Sequence, residues 1–248
     1  MDQGRFVVSD VVWAKVASVL PGKATDPGAT GRDNWLFLEA VLWRVRTGSP
    51  WRDLPNEYGR WNSVFQRFRR WVRAGVFERP FEQVSNEPDL STPRSTAPSS
   101  PRTRRRVAQK GTQNQAIGRS RGELTTKIVA MVDAFGNLVR FVLLPGQRHD
   151  SVGVQPPIEG IAFGALLGDK AFWLRADLDG RGATAVIPPR TNRKTATSFD
   201  HDMYRWRHWI ENTFAKLKEL RAVVTRHDKT DASYAATIYL AAAVVASR

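Results

Sequence analysis

"LTTKIVAMVDAFGNLVRFVLLPG", residues 124–146, holds two runs rich in β-branched and aliphatic side chains, Thr125 to Val132 and Leu138 to Leu144. Between them lies Asp133-Ala134-Phe135-Gly136-Asn137, a turn sequence whose glycine can take positive φ. The pattern predicts an antiparallel hairpin. Two short runs follow downstream: Gly164 to Gly168, which ends in Asp169, and Ala183 to Ile187, closed by Pro188-Pro189. Strands followed by helices, with one strand ending in an acidic residue, predict an α/β domain whose chemistry sits at strand ends.

Upstream of the hairpin the period changes to that of helices. Ser9 can cap a first helix reaching about Leu20, with Val12, Val16 and Val19 or Leu20 at helical spacing and Pro21-Gly22 ending it. Asp33 to Thr47 fits a second, with Leu36, Ala40, Trp43 and Val45 as its apolar stripe before Gly48 and Pro50. Trp61 to Ala74 fits a third, where Trp61, Val64, Phe65, Phe68, Trp71 and Val72 share a face and Arg67, Arg69, Arg70 and Arg73 lie largely off it. Such a helical module could set its arginines on DNA phosphates in a helix-turn-helix manner. The other reading is a helix solvated by arginine, and helical spacing leaves both open.

The 248 residues, 42% hydrophobic, suffice for a real core, and the formal net charge of +14 sets up a positive field that favours polyanions. Nucleic acid is the expected partner, with a membrane surface the weaker alternative. The absence of cysteine excludes disulfides and thiolate metal sites. "MDQGRFVVSD" lacks the features of a secretion signal, and the apolar run Ala235 to Ala246 is too short and alanine-rich to span a bilayer. A soluble, cytosolic protein is the expectation.

The segment "YRWRHWIENTFAKLKEL", residues 204–220, carries the most chemistry. At about 100° per residue, with Tyr204 at zero, Arg207, Glu211 and Lys218 fall at about −60°, −20° and −40°, one narrow polar stripe. On the same count Trp206, Trp209, Ile210, Leu217 and Leu220 form the face expected to be buried. Geometry alone is also satisfied by an ordinary exposed face with an Arg207–Glu211 pair worth a few tenths of a kcal/mol.

The order Tyr204, two residues, Arg207, three residues, Glu211, six residues, Lys218 resembles the Y-(2)-R-(3)-E-(6)-K signature of insertion-sequence transposases of the IS4 and IS5 type. Other segments resemble the IS5 family, particularly its IS427-like members: "RTGSPWRDLPNEYGRWNSVFQRFRRW" at 46–71, "NQAIGRSRGELTTKIVAMVDAFGN" at 114–137, "LPGQRHDS" at 144–151, "GDKAF" at 168–172, "VIPPRTNRK" at 186–194 and "RHDKTDASY" at 226–234. Nearly the whole chain is covered, in the expected order. The resemblance implies an RNase H-like α/β catalytic domain behind a small all-α module, with a catalytic triad of two Asp and one Glu. Matched residue by residue, the second Asp is Asp169 and the Glu is Glu211, both of them metal ligands. Phosphodiester cleavage by water or a 3′-hydroxyl asks for two divalent ions, Mg2+ or Mn2+, about 4 Å apart and held by carboxylates.

Tyr204, Arg207 and Lys218 would then hold the transposon end, Arg207 and Lys218 on phosphates. Arg119, Arg121 and Lys127 in "GRSRGELTTK" are further candidates for phosphate contact, a solvated basic loop being the alternative. His149 and Asp150 are expected to support the structure rather than bind metal, since hard cations prefer oxygen ligands. The partners implied are double-stranded DNA, as terminal repeats and target, and further copies of the chain assembled on it, with no membrane, in the bacterial cytosol at the nucleoid.

One expected feature is missing. The family's first Asp belongs between the helical module and "GRSRG", yet "STPRSTAPSSPRTRRR", residues 91–106, contains no acidic residue. Asp89 lies too early for the first strand. Codons for Arg94 to Ser99 exist that, read in a shifted frame, spell Ile-Asp-Gly-Thr-Ile. Two compensating frame changes, one near Leu90 to Thr92 and one before Gly111, would explain the segment, and programmed frameshifting in the gene is a second route to an intact enzyme. The expected layout is therefore a helical DNA-binding module at 1–85, an irregular, frame-disrupted segment at 86–113 and an RNase H-like domain at 114–248. Such a product is expected to lack strand one, bind metal poorly and cut little DNA. Rival readings are a non-catalytic DNA-binding remnant or repressor of transposition, and a nuclease on the same fold.

Overall fold

The structure, a computed structural model, describes residues 8–23, 26, 33–84, 94–96, 115–120, 123–168, 174–188 and 200–247. The chain divides into two compact units, one drawn from residues 1–86, 103–115 and 217–248, the other from 87–102 and 116–216. The first unit is helical. Its α1, Asp10–Val16, starts where the Ser9 hydroxyl accepts a hydrogen bond from the Val12 N–H at 3.3 Å. Its α2, Asn34–Thr47, starts where Asp33 Oδ1 accepts from the Leu36 N–H at 2.8 Å, and ends at Gly48, whose φ of +69° and N–H donated to the Arg44 carbonyl make a left-handed cap. With α3, Trp61–Arg73, all three predicted helices are present.

Three more α-helices of this unit lie among the described residues: α4, Glu78–Val84, α9, Arg221–Val224, and α10, Asp231–Ala246. The apolar run near the C-terminus becomes α10, which is buried on nearly every side and packs against α2, α3 and α4, with the Tyr239 ring 5.3 Å from that of Phe81. A helix apolar all round is explained by burial within a bundle. No helix among the described residues is long and apolar enough to cross a membrane. The last thirty-odd residues, expected from the sequence to belong with 114–216, cluster instead with the N-terminal helices.

On α3, Val64, Phe68 and Trp71 are buried as predicted, and Arg69, Arg70 and Arg73 are exposed. Arg67 departs from its expected place off the apolar face. It is half-buried, its guanidinium lies 4.4 Å from the Phe37 ring centroid and 4.8 Å from that of Trp71, and it donates to Asn34 Oδ1. Burial, and then the neighbouring Arg70 charge, push its pKa below the usual arginine value. A long aliphatic stem lets arginine cover aromatic rings, so polarity alone misplaced it.

Among its described residues the second unit has six strands: β1, Arg94–Thr96; β2, Gly118–Ser120; β3, Glu123–Val132; β4, Leu138–Pro145; β5, Ala165–Leu167; and β6, Thr184–Val186. The predicted hairpin is β3–β4, antiparallel with Val129 opposite Val142. From β4 the order runs β3, β1, β5, β6, with β2 paired to the first residues of β3. β1 is antiparallel to β3 and parallel to β5, and β5 is parallel to β6. The expectation that this polypeptide lacks a first strand is thus corrected: Arg94-Ser95-Thr96 forms one, although only three residues long. Its backbone can pair with Ala130 to Val132 whatever its side chains are, because ladder hydrogen bonds involve main-chain groups alone.

Val129 and Met131 on β3 join Leu166 on β5, Val154, Ile158 of α5 (Gln155–Ile158), and Leu174 and Leu178 of α6 (Leu174–Gly180) in one apolar core. Ile128, Ala130 and Val132 are buried as well. Both faces of β3 are therefore covered, which is why it reads as an almost continuous apolar run.

Candidate functional site

The segment that carries Glu211 is two helices, where the sequence predicts one. Asp200 caps α7, His201–Arg205, by accepting from the Met203 N–H at 2.9 Å. α8 then runs from His208 to Lys218. Between them the backbone tightens to i→i−3 hydrogen bonds: Trp206 to Met203, Arg207 to Tyr204, Trp209 to Trp206 and Ile210 to Arg207. Three residues per turn replace 3.6 there, so the angular count from Tyr204 onward shifts. The correction falls on the tryptophans, expected to be buried: Trp206 is 46% and Trp209 40% exposed. Ile210, Leu217 and Leu220 are buried as predicted, and Thr213 and Phe214 complete the inner face.

The polar group survives the break. Arg207 Nη2 lies 2.7 Å from Glu211 Oε1, and the Arg207 guanidinium lies 5.7 Å from the Tyr204 ring centroid. Glu211 keeps a side chain 60% exposed, so the pair is open to solvent. Lys218 is the exposed last residue of α8.

Thr213 anchors this helix. Its hydroxyl donates to the Gly136 carbonyl in the β3–β4 turn and lies 2.9 Å from the Trp209 carbonyl. Gly136 has a φ of +86°, and a Cβ there would sit 3.3 Å from Thr213 Oγ1, so glycine serves both the turn and the helix contact. Glu211, two residues before Thr213, therefore stands on a helix pinned to the end of the central hairpin. The signal in the sequence was a threonine on the inner face of an otherwise apolar stripe.

Asp133, an acid at the end of β3, is not available for chemistry. It is buried, Oδ1 accepts from the Phe135 and Asn137 N–H groups at 2.9 and 2.8 Å, and Oδ2 accepts from Asn137 Nδ2 at 3.2 Å. It closes the turn as an Asx motif.

The motifs around residues 118 and 146 interlock. The Gly146 N–H donates to the Thr125 carbonyl at 3.1 Å, and Lys127 Nζ donates to the Arg148 carbonyl at 2.6 Å. A Cβ on Gly118 would overlap the Gln147 amide, and one on Gly146 the Thr125 hydroxyl. Lys127, predicted to touch phosphate, thus has one donor holding the loop after β4, while Arg119 on β2 is exposed. Arg121 and Asp169 lie outside the described residues. Among the described residues no group of three or more His, Asp or Glu side chains could hold a metal ion.

Residues 91–246 match the family described as "Transposase DDE domain", and residues 8–81 match "Putative transposase of IS4/5 family". The chain belongs to the DDE transposases of the IS4/5 family. It is similar to the "Putative transposase for insertion sequence element IS6501" of Brucella ovis, 32% identical over 127 residues, which are 49% of this chain and 98% of that protein. It is also similar to "Uncharacterized protein y4sN" of Sinorhizobium fredii, 35% identical over 81 residues, covering 33% of this chain and 65% of the relative. The "Insertion element IS402 uncharacterized 16.2 kDa protein" of Burkholderia cepacia is 33% identical over 82 residues, 31% of this chain and 56% of its own length. The chain therefore spans less than two thirds of the latter two. No solved structure matches it.

Proposed function

We propose that the chain is an insertion-sequence transposase on an RNase H-like fold that binds the DNA ends of its element but has lost most of its strand-cleaving power. The observation that carries this reading is the sheet. β1 lies between antiparallel β3 and parallel β5, so the C-terminal ends of β1 and β5 point the same way, the usual place for chemistry in an open α/β sheet. Asp169 follows β5 by two residues, and Glu211 stands on α8. β1 runs through Arg94-Ser95-Thr96, in a segment whose sequence holds no acidic residue where the resemblance implies the first Asp.

That donor set does not fit two divalent ions. A pair of Mg2+ or Mn2+ ions needs several carboxylate oxygens to offset its charge, and residues 91–106 supply none. Asp169 and Glu211 remain as the carboxylates, and Tyr204, Arg207, Lys218, Arg119, Arg121 and Lys127 as contacts to the DNA backbone, with several copies of the chain assembling on the element ends in the bacterial cytosol. Binding and cleavage should separate experimentally. Terminal-repeat DNA incubated with this polypeptide and Mg2+ or Mn2+ should be bound and left uncut, and robust metal-dependent cutting would overturn the loss of activity. A failure to bind any duplex would overturn the transposase reading itself.

A further inference from the structure

The helical unit contains a solvent-open cavity of about 390 Å³ lined by Thr47, Gly48, Lys218, Arg221, Val224, Thr225 and His227. No lining residue is acidic. Gly48 makes the space: a Cβ there would lie 3.0 Å from the Arg221 Cβ, at a backbone φ of +69° that side chains rarely adopt. Lys218, Arg221 and His227 are exposed, and among the described residues none of the three side chains has an ion-pair or hydrogen-bond partner. Elsewhere in the chain Arg44 is paired with Asp228, Arg226 with Asp231, Arg207 with Glu211 and Arg181 with Asp177. The Thr225 hydroxyl likewise has no partner among the described residues and adds a neutral donor.

We propose that this cavity is a phosphate-binding pocket of the helical unit, in which Arg221 and His227, with Lys218 and Thr225, take one phosphodiester of the DNA backbone. The proposal rests on the reading of the chain as a DNA-binding transposase, and it adds Arg221, His227 and Thr225 to the contacts expected of that family. Convergent donors without a carboxylate suit an anion with several acceptor oxygens, and a guanidinium at the rim can engage two of them at once. The cavity is at the small end of ligand pockets, large enough for a phosphate group and too small to enclose a nucleotide with its neighbours. Contacts of this kind set register on the duplex and carry no sequence preference.

The test uses the full chain and a short fluorescent duplex, with affinity followed by anisotropy over a range of salt concentrations. Arg221→Gln and His227→Gln should each weaken binding by about tenfold or less, equally for unrelated sequences, and Arg221→Gln should lower the salt slope by about one. Lys15→Gln, a charge removed from the exposed face of α1, serves as the control. If the pocket variants keep the slope of the unaltered chain, or lose no more than Lys15→Gln, the pocket proposal fails while DNA binding stands. Should the unaltered chain bind no duplex, the transposase reading fails and the pocket is judged by inorganic phosphate alone. Phosphate should then shift the His227 ring resonances in the unaltered chain and not in Arg221→Gln, and equal responses in both would refute the pocket.

Discussion

Asp228 shows how a residue in a recognisable motif can be there for the fold. Within "RHDKTDASY" it accepts from Arg44 Nη1 and Nη2 at 3.4 and 3.0 Å and from Thr237 Oγ1 at 3.2 Å, with the two ionic side chains 5% and 6% exposed. Arg226, fully buried, pairs with Asp231 at 2.7 Å and lies 5.0 Å from the Tyr234 ring. These acids neutralise two arginines inside the helical unit. Asp228→Ala strands the Arg44 charge in the interior and should cost about 3–5 kcal/mol in urea unfolding. Replacing both partners, Arg44→Met with Asp228→Leu, should recover most of that loss, and a double variant as unstable as the single one would show that the pair is not the cause. Glu211→Gln is the contrast. Its partner Arg207 is partly exposed and solvent screens the pair, so the unfolding midpoint should stay where it is.

At the scale of elements, α8 and the β3–β4 turn form a single support for Glu211. Thr213→Val keeps the volume and removes the bond to the Gly136 carbonyl, so about 1–2 kcal/mol should be lost, read as a lower unfolding midpoint. Gly136→Ala strains a φ of +86° and crowds Thr213, and should cost at least as much. If either variant is as stable as the unaltered chain, α8 is held by its apolar face alone. The hairpin itself was legible because β-branched runs flanking a glycine turn leave few alternatives. The break at Trp206–Arg207 was not legible, since nothing in a 3.6-residue count announces a local change to three residues per turn. Arg67 was misplaced for a related reason: a polar residue on the margin of an apolar stripe can face either way until the neighbouring helix is known.

For the whole molecule, charge and chain order matter most. A net charge of +14 makes salt-dependent binding to DNA of any sequence the expected baseline, to be measured beside binding of terminal-repeat DNA. On the proposed function, the first-strand segment is where catalysis is won or lost. If compensating frame changes produced "STPRSTAPSSPRTRRR", a gene repaired across codons 85 to 115 should encode an aspartate on β1, and its product should cut terminal-repeat DNA with metal where the present chain is expected to leave it uncut. Nucleotides that spell no aspartate in either other frame would remove that explanation. The repaired protein should bind the same duplex with an unchanged salt slope, because the proposed phosphate contacts lie elsewhere in the chain.

The sequence by itself determined what is local or counted: the three N-terminal helices with the Ser9 cap of the first, the central hairpin, the two short downstream strands, the basic field, and the spacing around Glu211 that points to the DDE transposases. Tertiary structure alone decided which distant segments meet. Pairing along the chain says nothing of β1 entering between β3 and β5, of α10 joining helices near the other terminus, or of Arg221 and His227 opening beside Gly48. Each of those depends on backbone pairing or close approach between residues far apart in sequence, and such contacts leave no period in the order of residues.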